Sequence, residues 1–215
     1  VPIMIQRVPS QQETDMQFIQ RLAQRNGYVF YIEPLAPGAN TAYWGPENRL
    51  SMPQSALTMN MGAHNNLKSL SFTRDALAPV ETEGSFVEPI TKMSVPIPSL
   101  PSLRIPPLVL SPDQPQRRTL QRQTANQNPA TAATTALASV SNSPVSVTGQ
   151  GEIDTPRYGK VLRARKLVGV RGVGLSYNGN YYVSRVTHLI ERGKYEQRFS
   201  ISREGTVSLL PVVRV

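Results

Sequence analysis

Acidic and imidazole side chains are the first candidates for chemistry in this chain. Glu13 and Asp15 stand two residues apart at the start of a predicted helix, where side chains at that spacing do not face each other. Helix capping explains both carboxylates better than general acid–base catalysis. The two histidines, His64 and His188, are far apart and fit no metal-binding spacing such as H-E-x-x-H. The sequence therefore nominates no catalytic, cofactor-binding or metal-ligating residue, and we expect that the protein is not an enzyme.

Nucleophilic, nucleotide-binding and stacking sites are not supported either. The chain has no cysteine, which excludes a disulfide scaffold, a thiolate metal site and a cysteine nucleophile. The glycine-rich run GVRGVG at 169–174 has no strand–turn–helix setting, and no P-loop lysine follows it. Trp44, the single tryptophan, could stack on a base or a sugar. We expect it in the core instead, as is usual for a lone tryptophan in a small hairpin.

The positive charge belongs mainly to the C-terminal part of the chain. The 215 residues carry 23 Lys and Arg against 14 Asp and Glu, a net charge of +9. Residues 1–93 hold 7 basic and 8 acidic residues, residues 94–149 hold 4 and 1, and residues 150–215 hold 12 and 5. Such an excess suits nucleic acid, an acidic membrane surface or an acidic protein partner, and it is also typical of a solvated basic face.

The sequence shows no membrane-spanning or targeting segment. There is no run of about 18 apolar residues, and the N-terminal VPIMIQRVPS lacks the charged and apolar regions of a signal peptide. We therefore expect no membrane insertion. Because the chain begins at Val1 rather than methionine, we also expect a fragment or a processed product.

A segment of biased composition separates two regions that are expected to be ordered. Nine of the 19 prolines lie between Pro96 and Pro144, and residues 94–148 contain no Gly, Phe, Tyr or Trp. Such a segment buries too little apolar surface to offset the entropy of ordering it. We predict polyproline-like chain followed by an Ala/Thr/Ser tract of low complexity. The leucines and isoleucine of SLPSLRIPPLVL could still dock as an extended arm on a neighbour.

The N-terminal region has the pattern of a helix followed by a hairpin. Apolar residues recur at helical spacing over 10–27. Ser10 is the predicted N-cap, Glu13 completes a capping box with it, and Thr14 is a rival cap. Aromatic and β-branched residues predict the two hairpin strands, at 28–32 and 41–44.

The C-terminal region has the pattern of an antiparallel sheet. Asn178-Gly179 predicts a hairpin turn, and strands are expected at 181–190 and 195–203. In the second strand Tyr195, Phe199 and Ile201 share one side. This half-buried sheet needs an apolar partner, which the predicted strand at 67–73 can supply. Upstream, Thr155-Pro156 predicts a short basic helix that runs to Leu167.

Two stretches carry motifs that occur together in one known family. The first stretch, 11–34, has the pattern ETD…F…RLA…GY.FY, and the second, 157–205, has the pattern G.YYV..VTH.I..G.Y.Q.F...REG. The matching positions are Glu13, Thr14, Asp15, Phe18, Arg21, Leu22, Ala23, Gly27, Tyr28, Phe30, Tyr31, Gly179, Tyr181, Tyr182, Val183, Val186, Thr187, His188, Ile190, Gly193, Tyr195, Gln197, Phe199, Arg203, Glu204 and Gly205. In these motifs the chain resembles the hub proteins of contractile phage tails. The family includes the phage late control protein D, the hub portion of VgrG-like spike proteins and relatives in extracellular contractile injection systems.

The resemblance implies an α+β fold, an antiparallel β-barrel of the tail-hub type with a small helix–hairpin element and a long irregular insertion. The expected segments are the α/β element at 1–60, the first barrel strands at 61–93, the insertion at 94–149 and the closing part of the barrel at 150–215. This chain departs from the family pattern in three ways. We expect one barrel rather than two in this stretch of sequence, with an upstream half outside it, a spike that is a separate protein, and a long insertion.

The function implied by the resemblance is mechanical. Family hubs are trimers whose duplicated barrels form a pseudo-sixfold ring between the tail tube and the spike. We therefore expect a homotrimer of the full-length protein that contacts the tail tube protein, a separate spike protein and other baseplate proteins. Its expected location is a virion or phage-tail-like particle, assembled in the bacterial cytoplasm.

Two other function classes stay open. A nucleic-acid-binding module is suggested by the sequence pI of about 10.2 and by basic residues interleaved with aromatics over 177–203. A tail-associated cell-wall hydrolase is suggested only by the tail context, since no pair of acidic residues or metal cluster is evident.

Overall fold

The computed structural model describes residues 11–87, 93–97, 102–120 and 129–209. In chain order the elements are α1 (Asp15–Arg25), β1 (Val29–Ala36), β2 (Ala39–Gly45), β3 (Gln54–Thr58), a 3₁₀ turn (Gly62–His64), β4 (Leu67–Arg74), β5 (Val80–Val87), β6 (Ser94–Ile97), β7 (Arg117–Leu120), α2 (Pro129–Ser141), β8 (Val147–Ile153), α3 (Thr155–Tyr158), β9 (Leu167–Arg171), β10 (Gly179–Glu191) and β11 (Lys194–Arg203). None of the helices in these ranges is long and apolar enough to cross a membrane.

The chain divides into two compact units, each built from separated stretches of sequence. Unit 1 comprises residues 1–47, 80–104 and 116–143, and unit 2 comprises residues 48–79, 105–115 and 144–215. The predicted segments followed one another along the chain, with boundaries at 60, 93 and 149. The arrangement found differs because the insertion supplies chain to both units.

Helix α1 and the β1–β2 hairpin have the predicted order. Thr14 is the N-cap of α1 and forms a reciprocal capping box with Gln17, so the rival cap is the one used. Ser10, the other predicted cap, lies outside the described residues. The two strands pair antiparallel and turn at Pro37-Gly38, where Gly38 has φ +80°. A positive φ at this turn favours glycine.

The insertion forms more regular structure than its composition predicted. In unit 1, β6 pairs antiparallel and β7 pairs parallel with β5. Pro96 is accommodated because β6 is an edge strand of this sheet.

The prediction of irregular chain was also wrong over α2. Alanine is the best helix former, and Ala132 and Ala136 lie buried one turn apart. The hydroxyls of Thr135 and Ser141 donate to carbonyls four residues earlier, so these two polar side chains are satisfied within the helix.

Unit 2 is built on one curled six-stranded sheet in the order β3-β9-β10-β11-β8-β4. All neighbours pair antiparallel except β3 and β9, which are parallel. The predicted strands at 67–73, 181–190 and 195–203 are confirmed as β4, β10 and β11. The first of these joins the sheet beside β8 instead of facing it.

One apolar cluster fills the concavity of this sheet. Its fully buried members include Leu57, Val147, Ile153, Leu162, Val168, Val170, Tyr181, Val183 and Ile201. A smaller cluster of Leu108, Leu167 and Tyr182 lies apart from it. Leu108 and Val109 belong to the end of the SLPSLRIPPLVL segment. This part, residues 105–110, docks within unit 2, where Val109 pairs with Ser208 in a short antiparallel bridge.

The sheet is not a closed antiparallel barrel. Strands β3 and β4 are its two ends, and in the described part of the chain no strand pairing joins them. The helix predicted from Thr155 to Leu167 is also wrong, because α3 stops at Tyr158. Gly159 caps it at φ +66°, and the following residues form non-helical bonds that are described below.

Candidate functional site

The acidic pair considered for catalysis is engaged in the first turn of α1. Glu13 forms an ion pair with Arg21 at 2.6 Å. Asp15 accepts a hydrogen bond from the Gln11 side chain at 2.6 Å. Neither carboxylate caps the helix, because Thr14 and Gln17 form the capping box; Glu13 and Asp15 instead take part in side-chain contacts at its start.

The histidines, the tryptophan and the glycine-rich run are not brought together. His64 lies in the 3₁₀ turn, and His188 Nδ1 lies 2.8 Å from the hydroxyl of Tyr195. Among the residues that the structure describes, no three His, Asp or Glu side chains group to hold a metal ion. The run GVRGVG continues β9 into a turn in which Gly172 and Gly174 have positive φ.

Trp44 is not the core residue that was expected. Its side chain is 49 % exposed and meets Tyr28 edge-on, with ring centroids 5.1 Å apart. The physical reason is that β1 and β2 form a two-stranded sheet. A hairpin of this size covers only one of its faces well.

The most constrained polar group in unit 2 is Arg203, at the end of β11. Its side chain is fully buried, and its guanidinium lies 4.3 Å from the centre of the Tyr181 ring. Burial lowers the pKa of this guanidinium below its usual value. The group donates only to backbone carbonyls, those of Gly205 at 2.9 Å, Asn178 at 3.0 Å, Ser176 at 2.8 Å and Thr206.

Glu204 and Gly205 extend this arrangement. We call Arg203, Glu204 and Gly205, together with the backbone groups that they contact, the Arg203 corner. The Glu204 carboxylate forms an ion pair with the buried Arg49 and accepts from the backbone N–H of Leu108 at 3.4 Å. A Cβ added to Gly205 would lie 3.1 Å from the carbonyl of Ser111. Arg203 and Glu204 thus tie the end of β11 to segments near residues 49, 108 and 176, and Gly205 lets the backbone near Ser111 approach closely.

Side-chain bonds, rather than strand pairing, connect β3 with the opposite end of the sheet. Asn66 accepts from the Thr58 N–H at 2.7 Å and donates to the Ala56 carbonyl at 2.9 Å. Its own carbonyl accepts from the Asp154 N–H at 2.9 Å. Asn66 therefore links β3 to the end of β8.

Residues 154–163 complete this connection, which we call the seam. The buried Gln197 accepts from the Leu162 N–H at 2.8 Å and donates to the Lys160 carbonyl at 3.2 Å. Tyr158 donates its hydroxyl to the Ser55 carbonyl at 2.9 Å, and burial raises its pKa to about 12. These bonds explain why the chain after Gly159 is irregular instead of helical.

The other side of the sheet is a polar face. A groove of about 410 Å³ runs over β4, β8, β11 and β10, and its lining residues include Ser69, Ser71, Gln150, Arg185, Thr187 and Arg198. At one end Lys68 pairs with Glu196 and with Glu152 at 3.6 Å. The hydrogen bond from Lys68 lowers the pKa of Glu196, and the bond to Glu196 raises that of Lys68.

The aromatic residues of β10 are not available as a stacking platform. Tyr181 and Tyr182 are buried, and burial raises the pKa of Tyr181. The Tyr181 hydroxyl donates to the Tyr177 carbonyl at 2.7 Å. Bases stack on exposed rings in single-strand-binding proteins, so these two tyrosines give no support to the nucleic-acid alternative.

Comparison with known proteins places this geometry in a structural context. No protein-family profile matches the sequence, and no curated protein matches it significantly. The crystal structure of the tail protein from Neisseria meningitidis MC58 is similar, with a TM-score of 0.57 and 14 % identity over 93 % of this chain and 57 % of that one. The 43 kDa tail protein of prophage MuSo2 from Shewanella oneidensis is similar too, with a TM-score of 0.55 and 14 % identity over 93 % and 55 %.

The chain shares its fold with phage tail proteins. It spans a little over half the length of the two tail proteins that it matches. The α+β class is confirmed, with the sheet curled but open rather than closed into a barrel.

The roles of Gln197 and Arg203 are the main features that sequence reasoning missed. A signal was present, because both residues fall in the same alternation as Tyr195, Phe199 and Ile201. They were thus polar residues on the side of β11 that the pattern assigned to the core. Polar side chains in such positions need hydrogen-bond partners, and here the partners are backbone groups of irregular segments.

Proposed function

We propose that this chain is a structural part of the tail or baseplate hub of a phage or phage-derived contractile injection system. The observation that carries the proposal is the fold shared over 93 % of the chain with two proteins described as tail proteins. The resemblance to tail hubs agrees with it, since the Arg203 corner and Gln197 occupy the second motif of that resemblance. In this role the chain contributes a rigid sheet and carries out no chemistry.

The finer form of the proposal is a hub that links the tail tube to a separate spike. The full-length protein would be a homotrimer in contact with the tube protein, the spike protein and other baseplate proteins. It would be assembled in the bacterial cytoplasm and retained in the finished particle. Support comes from the resemblance and from the irregular segments that unit 2 fixes at the Arg203 corner, since an assembly part needs loops of defined shape.

Deletion and complementation test the proposal. The gene is deleted in the producing strain, and particles are counted by electron microscopy after complementation with the wild-type or a variant gene. We expect no complete particles without the gene, and labelled protein at the tube–spike end with it. Normal particles in the deletion strain would refute the structural role, and label elsewhere on the particle would refute the hub position. A zymogram and a filter-binding assay of the purified protein test the hydrolase and nucleic-acid alternatives.

A further inference from the structure

Strand β4 is an open edge of the six-stranded sheet. Among the described residues it pairs with β8 alone, and no hydrogen bond from them reaches its outer backbone groups. The edge is eight residues long, and it contains neither proline nor glycine. An uncovered edge of this length is a template for a further strand.

The opposite end of the sheet is not open in the same way. The outer backbone groups of β3 already bond to Asn66 and to the hydroxyl of Tyr158. If two copies paired through their six-stranded sheets, each would therefore have to use its own β4. Antiparallel self-pairing centred on Ser71 would set Lys68 opposite Arg74 of the other copy at both ends, and like charges directly opposite are destabilising.

Charge at the two ends of β4 indicates the kind of partner. At one end Lys68 is 42 % exposed, whereas its partners Glu196 and Glu152 are 9 % and 22 % exposed. At the other end Arg74 is 44 % exposed, whereas its partner Asp113 is 18 % exposed. At both ends, therefore, the cation faces outward and the carboxylate is covered. A strand that approaches this edge meets two positive charges six residues apart along β4.

We infer that β4 takes up an extended strand from a different polypeptide, one that carries acidic residues at both ends. Strand addition supplies affinity through main-chain hydrogen bonds and specificity through alternate side chains. The added strand would present apolar side chains beside Leu70 and Phe72, which are half-buried, and small polar ones beside Ser69 and Ser71. The inference rests on the proposed function, because a particle component has other polypeptides to meet.

Two peptides test the inference on the full chain. The probe is a seven-residue peptide with glutamate at both ends and alternating valine and threonine between them. The matched control has lysine at both ends and the same residues between them. We expect the glutamate peptide to bind at least tenfold more tightly in a fluorescence anisotropy titration, and to shift the amide NMR signals of β4. We expect Lys68→Gln and Arg74→Gln to weaken this binding at least threefold each, and Arg192→Gln, in the exposed β10–β11 turn, to leave it unchanged.

Three outcomes would overturn the inference. They are equal binding of the two peptides, binding that shifts no β4 amide, and a dimer in light scattering whose interface includes the β4 amides. The NMR shifts of the wild-type β4 amides are measured without any variant, so they remain decisive if a substitution impairs folding. The peptide test uses purified protein and is independent of particle assembly. If the peptides fail to bind as expected but the protein is incorporated into particles, only the strand-docking inference is refuted. Peptide binding by a protein that is absent from particles would instead refute the proposed function.

Discussion

Replacing Arg203 by methionine tests the physical account of unit 2 most sharply. The substitution keeps most of the side-chain volume beside Tyr181 but removes all four donors to the carbonyls of residues 176, 178, 205 and 206. A hydrogen bond from a charged donor contributes about 1.5–3 kcal/mol. The recovered hydration of the buried guanidinium opposes this loss, because burying an ion costs several kcal/mol. Each carbonyl left without a donor costs about 1–3 kcal/mol, and the regained hydration offsets several kcal/mol of the total, so we expect a net loss of about 3–5 kcal/mol in the free energy of unfolding.

Urea unfolding followed by far-UV circular dichroism measures this loss. With a slope of about 2 kcal/mol per molar urea, the unfolding midpoint should fall by about 2 M. The matched control is Arg185→Met, the same substitution at an exposed position of β10. Such surface changes usually alter stability by no more than about 0.5 kcal/mol. A shift below about 1 kcal/mol for Arg203→Met, or equal shifts for the two variants, would refute the view that Arg203 holds the corner.

Three further predictions concern the seam, the β9–β10 turn and the salt-bridge network. Gln197→Leu should lower stability by about 2 kcal/mol in urea unfolding, because it leaves the buried Leu162 N–H without its acceptor; equal stability of variant and wild type would contradict the seam. Gly172→Ala should lower stability far more than Gly174→Ala, because a Cβ on Gly172 would lie 1.7 Å from the Met59 carbonyl while the space beside Gly174 is open. The strained φ should cost about 1 kcal/mol in both variants. Equal melting temperatures of the two variants would therefore refute the contact with Met59. Glu196→Gln should destabilise the protein at pH 7 and lose its effect in acid. The hydrogen bond from Lys68 lowers the folded-state pKa of Glu196, so the stabilisation by this carboxylate is present above the unfolded pKa of about 4.3 and is lost as pH falls through the folded value. A difference in stability between variant and wild type that persists unchanged at pH 2–3 would contradict this assignment.

Strong local signals made much of the fold predictable. The alternation in β11 and the turn at Arg192-Gly193 place the β10–β11 hairpin, and the helical periodicity after Thr14 places α1. These elements follow from interactions between near neighbours in the sequence. Their prediction needed no knowledge of how the units assemble.

The elements that could not be predicted depend on distant contacts. Helix α2 lies in a tract whose composition suggested disorder, and it is stabilised by the burial of Ala132 and Ala136. The short α3 ends where Gly159 caps it and Gln197, some 35 residues away, binds the chain that follows. Trp44 was misplaced because its surroundings depend on a two-stranded sheet that has little to cover it.

The Arg203 corner and the open edge of β4 were likewise only partly predictable, because both depend on contacts between distant parts of the sequence. The sequence placed Arg203, Glu204 and Gly205 in one motif, but not their partners, because Arg49 and Leu108 approach only in the folded unit. The open edge of β4 likewise depends on the sheet order, in which a strand from residue 67 onward pairs with one from residue 147 onward. Strand order over such separations follows from the packing of the whole sheet.

Cryo-electron microscopy of purified particles tests the central claim most directly. The account predicts that the curled six-stranded sheet of unit 2 fits density at the junction between tail tube and spike, in three copies per particle. Particles with no density or peptide from this chain would contradict it.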